Sequence, residues 1–141
     1  LNAKYKELVK DIEEPTLDIN EQEIEQVLFQ LINEERLNNG LDELIWNDGL
    51  YSCARGNNIN MAKTKALQTA DCLSWQQVFW FLGYGTTDKI ANLALAAWKN
   101  NEYSYTKSIL SDSAVYGSVA VYTSEEIVYI TFLDYGDIHI R

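Results

Sequence analysis

The stretch Leu31–Ala62, LINEERLNNGLDELIWNDGLYSCARGNNINMA, decides how this chain is read. Its first part continues an apolar stripe, Ile24, Val27, Leu28, Leu31 and Ile32, at helical spacing. Asn20 and Glu23 upstream form an Asn-x-x-Glu capping box that starts this helix. Glu21, Glu23 and Glu25 enrich its first turn, where the helix dipole favours acids. Asn38, Asn39 and Gly40 end it. A short turn closing on Ile45-Trp46-Asn47 follows, and Asp48 caps a second helix with Leu50, Cys53, Ala54, Met61 and Ala62 on its buried side. Gly56, Asn57 and Asn58 make the middle of that helix a weak helix former, so tertiary packing must hold it.

Working outward, Ala3–Glu14 reads as a short charged helix stopped before Pro15, and residues 15–19 as a linker. Ser74 with Gln77 suggests another capping box, and Trp75–Leu82 is read as a short aromatic helix broken by Gly83 and Gly85. A further helix starts at Thr87 and carries Ile90, Leu93, Ala94, Ala97 and Trp98. From Ala114 the period changes to alternation: Val115, Gly117, Val119 and Val121 oppose Tyr116, Ser118, Ala120 and Tyr122. Thr123, Ser124 and Glu125 make a turn into a second strand, Ile127–Leu133. Helices first and a hairpin last give an α+β domain. The boundaries read as 1–19 for an N-terminal helical extension and linker, 20–136 for the domain and 137–141 for a tail.

At 141 residues and 47% hydrophobic content the chain is large enough for one buried core. Twenty-one acidic against eleven basic residues leave a net charge of -10. That surface repels phosphate backbones, so nucleic acid is not an expected partner. No apolar run reaches the roughly 20 residues that span a bilayer. The first residue is Leu1 rather than Met, which reads as a piece of something longer. Cys53 and Cys72 could close a loop of about 20 residues, for a stabilisation of roughly 3 kcal/mol, or could sit as two small buried hydrophobes.

Taken in order, several landmarks resemble the CAP superfamily (cysteine-rich secretory, antigen 5 and pathogenesis-related proteins) in its short bacterial form. They are Asn33-Glu34-Glu35-Arg36 through Gly40, Leu44-Ile45-Trp46-Asn47, Ala54-Arg55 through Met61-Ala62, Ala97-Trp98, Ile109-Leu110 and the hairpin from Tyr116. The resemblance implies a CAP-like α-β-α sandwich preceded by the short helical extension. It also implies an exported protein, extracellular or at the cell surface, and with that compartment a Cys53–Cys72 disulfide.

The family's cleft carries two histidines and two acidic residues, which in many members bind a divalent metal. By the resemblance these positions fall on Asn57, Gln76, Ala96 and Tyr105. Amides bind transition metals poorly and alanine not at all, so the expected metal set is none and the expected cofactor none. The single histidine, His139, lies in the tail and rules out a two-histidine site within the chain. Glu34-Glu35, Asp42-Glu43 and Glu125-Glu126 are sequence neighbours whose carboxylates point to different faces.

What remains is a surface. Trp75, Phe79, Trp80, Phe81 and Tyr84 crowd one short segment, with Trp98, Tyr103 and Tyr105 beyond. Most should be core, but some rings should line a groove. The candidate groove comprises Asn57, Gln76, Tyr105, Trp80 and Tyr103, and would take a peptide, glycan or small apolar ligand. The expected function is a non-catalytic extracellular binding or interaction module, with oligomerisation through the extension a further route. The competing expectation is a cell-wall or peptide hydrolase using Tyr105 with Gln76 and a nearby acid.

Overall fold

The computed structural model describes residues 19–72, 74–82 and 85–136. The helical extension at Ala3–Glu14, Gly83, Tyr84 and His139 lie outside the described residues. Asn20 caps helix α1 (Glu21–Asn38) as its spacing predicts, its side chain accepting from the Glu23 backbone N–H at 3.1 Å. Strand β1 is only Ile45–Trp46. Helix α2 (Asp48–Thr64) follows, and its N-cap is Asn47 rather than Asp48: the Asn47 carboxamide accepts from the Leu50 N–H at 2.8 Å.

Trp75–Leu82 is a strand, β2, and not a helix. All eight of its residues pair antiparallel with the second strand of the C-terminal hairpin, from Trp75 opposite Asp134 to Leu82 opposite Ile127. Ser74 and Gln77 imitate a capping box, but no 3.6-residue apolar stripe follows them. Tryptophan, phenylalanine and valine favour a pleated surface when a partner strand is present, and the hairpin supplies it. Helix α3 (Thr87–Asn100) is capped by Thr86. A short helix α4 (Glu102–Lys107), absent from the sequence reading, lies between α3 and the hairpin. The hairpin is β3 (Tyr116–Ser124) and β4 (Ile127–Tyr135). Its two-residue turn is Glu125–Glu126, both at positive φ (52° and 70°), the backbone that suits the twist of a tight hairpin.

The strand order is β1-β3-β4-β2, with β1 parallel to β3 and the other pairs antiparallel. One face packs the larger core: Val119, Val121, Ile130 and Phe132 of the sheet against Ile24, Leu28 and Ile32 of α1 and Ile90, Ala94 and Trp98 of α3. The other face packs a smaller cluster, Ala120 and Leu133 against Leu50 and Ala54 of α2. Helices on both faces make the expected α-β-α sandwich. Cys53 of α2 is bridged to Cys72. The weak middle of α2 is held from outside: Asn58 Nδ2 donates to the Ala120 carbonyl at 2.8 Å and Asn58 Oδ1 accepts from the Thr131 hydroxyl at 2.7 Å. Among the described residues no helix is long and apolar enough to cross a membrane.

Candidate functional site

The site begins with the shortness of β1. It pairs with only the first two residues of β3, Tyr116 and Gly117, and leaves later N–H groups on that edge without a strand partner. Two acids of α1, one turn apart, supply the acceptors. Glu21 Oε2 takes the Thr123 N–H at 2.7 Å, and Glu25 Oε2 takes the Val121 N–H at 2.9 Å. The acids read from sequence as helix-dipole partners are therefore also caps for an open sheet edge.

Asn33 then brackets the chain leaving α1. Its amide donates to the Leu44 carbonyl at 3.3 Å, and its Oδ1 accepts from the Leu44 N–H at 2.8 Å. This pins Trp46 over α1, edge-on to Phe29 with ring centroids 5.0 Å apart and planes at 83°. Tyr51, one turn into α2, also packs on Trp46, with centroids 5.4 Å apart and planes at 40°. Its hydroxyl donates to Glu25 Oε2 at 2.9 Å. The result is a groove of about 600 Å³ between α1, β1 and the start of α2.

Its wall is the Phe29–Trp46–Tyr51 array, in which Trp46 keeps 38% of its surface exposed. Exposed amides of Gln22, Gln26 and Gln30 and exposed carboxylates of Glu43 and Asp48 form its rim. Among the described residues no basic side chain is in the lining, though the Arg55 charge acts on Glu25 and Tyr51 at its base. The Trp46 indole N–H is turned to Asp48 Oδ1 at 3.1 Å. Glu25 sits at the base. Burial pushes its carboxyl above the ordinary range, partly offset by the bonds from Val121 and Tyr51. Burial likewise raises the Tyr51 phenol, and the Glu25 charge adds to it.

Glu25 therefore organises the groove and the sheet edge together. Glu25→Leu would orphan the Val121 N–H and the Tyr51 hydroxyl, and is expected to cost about 2–4 kcal/mol. Glu25→Gln keeps an acceptor for both donors and is expected to cost about 1 kcal/mol or less. Urea unfolding of the two variants checks this, and equal losses would count against the acceptor role.

The residues expected to form one cleft do not converge. Asn57 is buried, and its amide donates to the Gln68 carbonyl at 2.9 Å and the Thr131 hydroxyl at 3.1 Å. Gln76 brackets Ala70, accepting from its N–H at 2.6 Å and donating to its carbonyl at 3.0 Å. Both lie on the α2 side of the sheet. Tyr105 belongs to the core on the opposite face, and its hydroxyl donates to Glu35 Oε1. Burial, with Glu35 adding to it, drives that phenol's pKa upward, away from use as a base. Trp80 is 40% exposed and stacks on Tyr129, again on the α2 side, while Tyr103 projects from α4 beside Lys107. Tyr105 and Gln76 thus cannot act on one substrate.

Reading β2 as a helix hid a simple parity. In a strand, neighbouring side chains face opposite sides, so Gln77, not Gln76, faces Tyr105's side. There it donates to the hydroxyls of Ser104 and Ser108, both at 2.8 Å. The groove residues were missed for another reason: Trp46 served as a fold landmark and Glu25 as helix-end charge. The signal that could have found them is Gln22, Gln26 and Gln30 at four-residue spacing beside Phe29.

The profile of the cysteine-rich secretory protein (CAP) family matches residues 29–135. The chain belongs to the CAP family. Among solved structures, this CAP domain is similar to an outer surface protein of Borrelia burgdorferi (TM-score 0.61, 15% identity, 79% of this chain and 92% of that one). It is similar to the CAP domain of enterococcal PrgA (TM-score 0.55, 16% identity, 84% and 62%). It is also similar to a cysteine-rich secretory protein of Staphylococcus aureus (TM-score 0.53, 13% identity), where 84% of this chain spans only 40% of that one. A comparison with curated protein sequences returned no significant match.

The divalent metal that the family resemblance implies does not fit the side chains found here. Asn57 and Gln76 spend their amides on the protein, Ala96 has no donor atom, and Tyr105 is across the sheet, bonded to Glu35. Among the described residues no three His, Cys, Asp or Glu side chains converge as a metal set.

Proposed function

We propose that this CAP domain is a non-catalytic binding module of an exported protein, acting outside the cell or at its surface, with its ligand received in the α1–β1–α2 groove. The observation that carries the reading is the aromatic wall: three contacting rings, one substantially exposed, above a rim of amides and carboxylates. Exposed aromatic surface beside a few placed polar groups is the usual make-up of a ligand site. Neither a nucleophile paired with a base nor a metal set accompanies it among the described residues. The Cys53–Cys72 bridge supports an oxidising compartment, and similarity to proteins named as outer-surface or secretory supports export.

Arrays of glycans, peptides and small apolar ligands, probed with the full chain, test this. At least one class should be retained uncleaved, lost in Trp46→Ala and kept in Trp80→Ala. Cleavage products in the eluate, or capture indifferent to Trp46, would overturn the reading.

A further inference from the structure

The lining of the groove narrows the chemistry of its occupant, given that it is the binding surface proposed above. The wall rings touch one another, with centroids 5.0 and 5.4 Å apart. Phe29 and Tyr51 both pack on Trp46, so the three rings form a wall rather than separate faces set around a cation. A wall suits a flat, weakly polar face laid against it.

The rim sets the other half of the requirement. Gln22, Gln26 and Gln30 recur every four residues along α1, about 6 Å apart along the axis. That spacing is comparable to one pyranose residue. Each carboxamide offers both donors and an acceptor, and the exposed Glu43 and Asp48 add acceptors for hydroxyl groups. With no basic side chain in the lining among the described residues and a net charge of -10, phosphate, sulfate and uronate groups are disfavoured. A lipid tail would desolvate the amides and carboxylates without bonding them. A cationic peptide would meet carboxylates whose exposure screens their pull.

We infer that the groove binds a neutral oligosaccharide, with a pyranose face on Trp46 and its hydroxyl or acetamido groups on Gln22, Gln26 and Gln30. The geometry is complementary to a chain running along α1. Burial of Glu25 and its bonds to Tyr51 and Val121 keep the base of the groove fixed before the sugar arrives, which lowers the ordering cost of binding.

The test is titration of the full chain with the neutral β-1,4-linked N-acetylglucosamine hexamer, followed by calorimetry and by the indole N–H resonance of Trp46. Saturable binding is expected that shifts this resonance and is little affected by salt. Trp46→Ala should weaken it about tenfold or more, and Gln26→Ala roughly threefold. Trp80→Ala should leave it unchanged. Circular dichroism checks that Trp46→Ala folds; if it does not, the double variant Gln26→Ala, Gln30→Ala carries the test. A hexalysine peptide in parallel separates the two levels of the argument. Salt-sensitive, Trp46-dependent binding of the peptide with none of the sugar would overturn the carbohydrate assignment and keep the groove. Sugar binding that depends on Trp80 and ignores Trp46 would overturn the groove itself. Binding of neither probe would overturn the carbohydrate assignment.

Discussion

Arg36→Met is expected to lower the unfolding free energy by about 3–5 kcal/mol, the largest effect of any single change considered. Arg36 is 1% exposed, yet four carbonyls surround its guanidinium. Nε donates to Asp42 O at 2.8 Å, Nη1 to Ile109 O and Ser111 O at 2.9 Å each, and Nη2 to Ala114 O at 3.3 Å. One side chain thus ties the exit of α1 to the loop that launches β3. Methionine would fill the volume but strand four buried acceptors. Lysine would keep the charge but not the planar fork, so Arg36→Lys should recover only a minor part.

The same site carries a pH signature. Asp134 is fully buried, and neither carboxylate oxygen has a hydrogen-bond partner among the described residues. Burial pushes its carboxyl up from 3.8 to about 8, against the opposing pull of Arg36. The folded chain therefore keeps a proton that the unfolded chain releases between those values. Stability from this group is greatest below 3.8 and falls as pH rises toward about 8. Asp134→Asn should flatten that slope in urea unfolding across the window. In Arg36→Met the carboxyl loses its nearby positive charge, so adding Asp134→Asn should restore part of the lost stability at the alkaline end. Strict additivity of the two changes would argue that they do not share one electrostatic site.

The sequence made α1 legible because cap, stripe and exit all agree locally: Asn20, then Ile24, Leu28 and Ile32, then Gly40. The hairpin was legible for a similar reason, since alternation through Val119 and Val121 breaks only at the turn. Trp75–Leu82 was not, because its pairing partner lies some fifty residues downstream and local spacing carries no trace of it. The single-residue offset between Asn47 and Asp48 at the start of α2 is smaller in kind, two capping-competent residues side by side. Site residues were harder still. Asn57 looked like an empty ligand position, and is a buried amide tying α2 to β4 through Thr131. The groove depends on Asn33 holding Leu44 and on a strand too short to cover β3, and neither fact is written in spacing.

Reducing the Cys53–Cys72 bridge is expected to cost about 3 kcal/mol in the chain-entropy model. The two Cα atoms are 6.6 Å apart and 19 residues apart in sequence, so the bridge closes α2 onto the segment that returns to β2. The core under that segment is small, with Ala54, Ala70, Ala120 and Leu133 as its centre. It cannot replace the covalent tie with burial alone. Two polar brackets remain in the reduced chain: Asn57 on the Gln68 carbonyl and Gln76 on Ala70. The loss should therefore appear first as faster amide exchange around Gln68–Asp71, with global unfolding following at lower denaturant. Binding at the groove should persist in Cys53→Ala, Cys72→Ala below that transition, because Trp46, Phe29 and Glu25 are positioned by α1 and β1 rather than by this loop. Unchanged exchange and unchanged denaturant midpoint on reduction would mean that the brackets of Asn57 and Gln76 suffice to hold the loop.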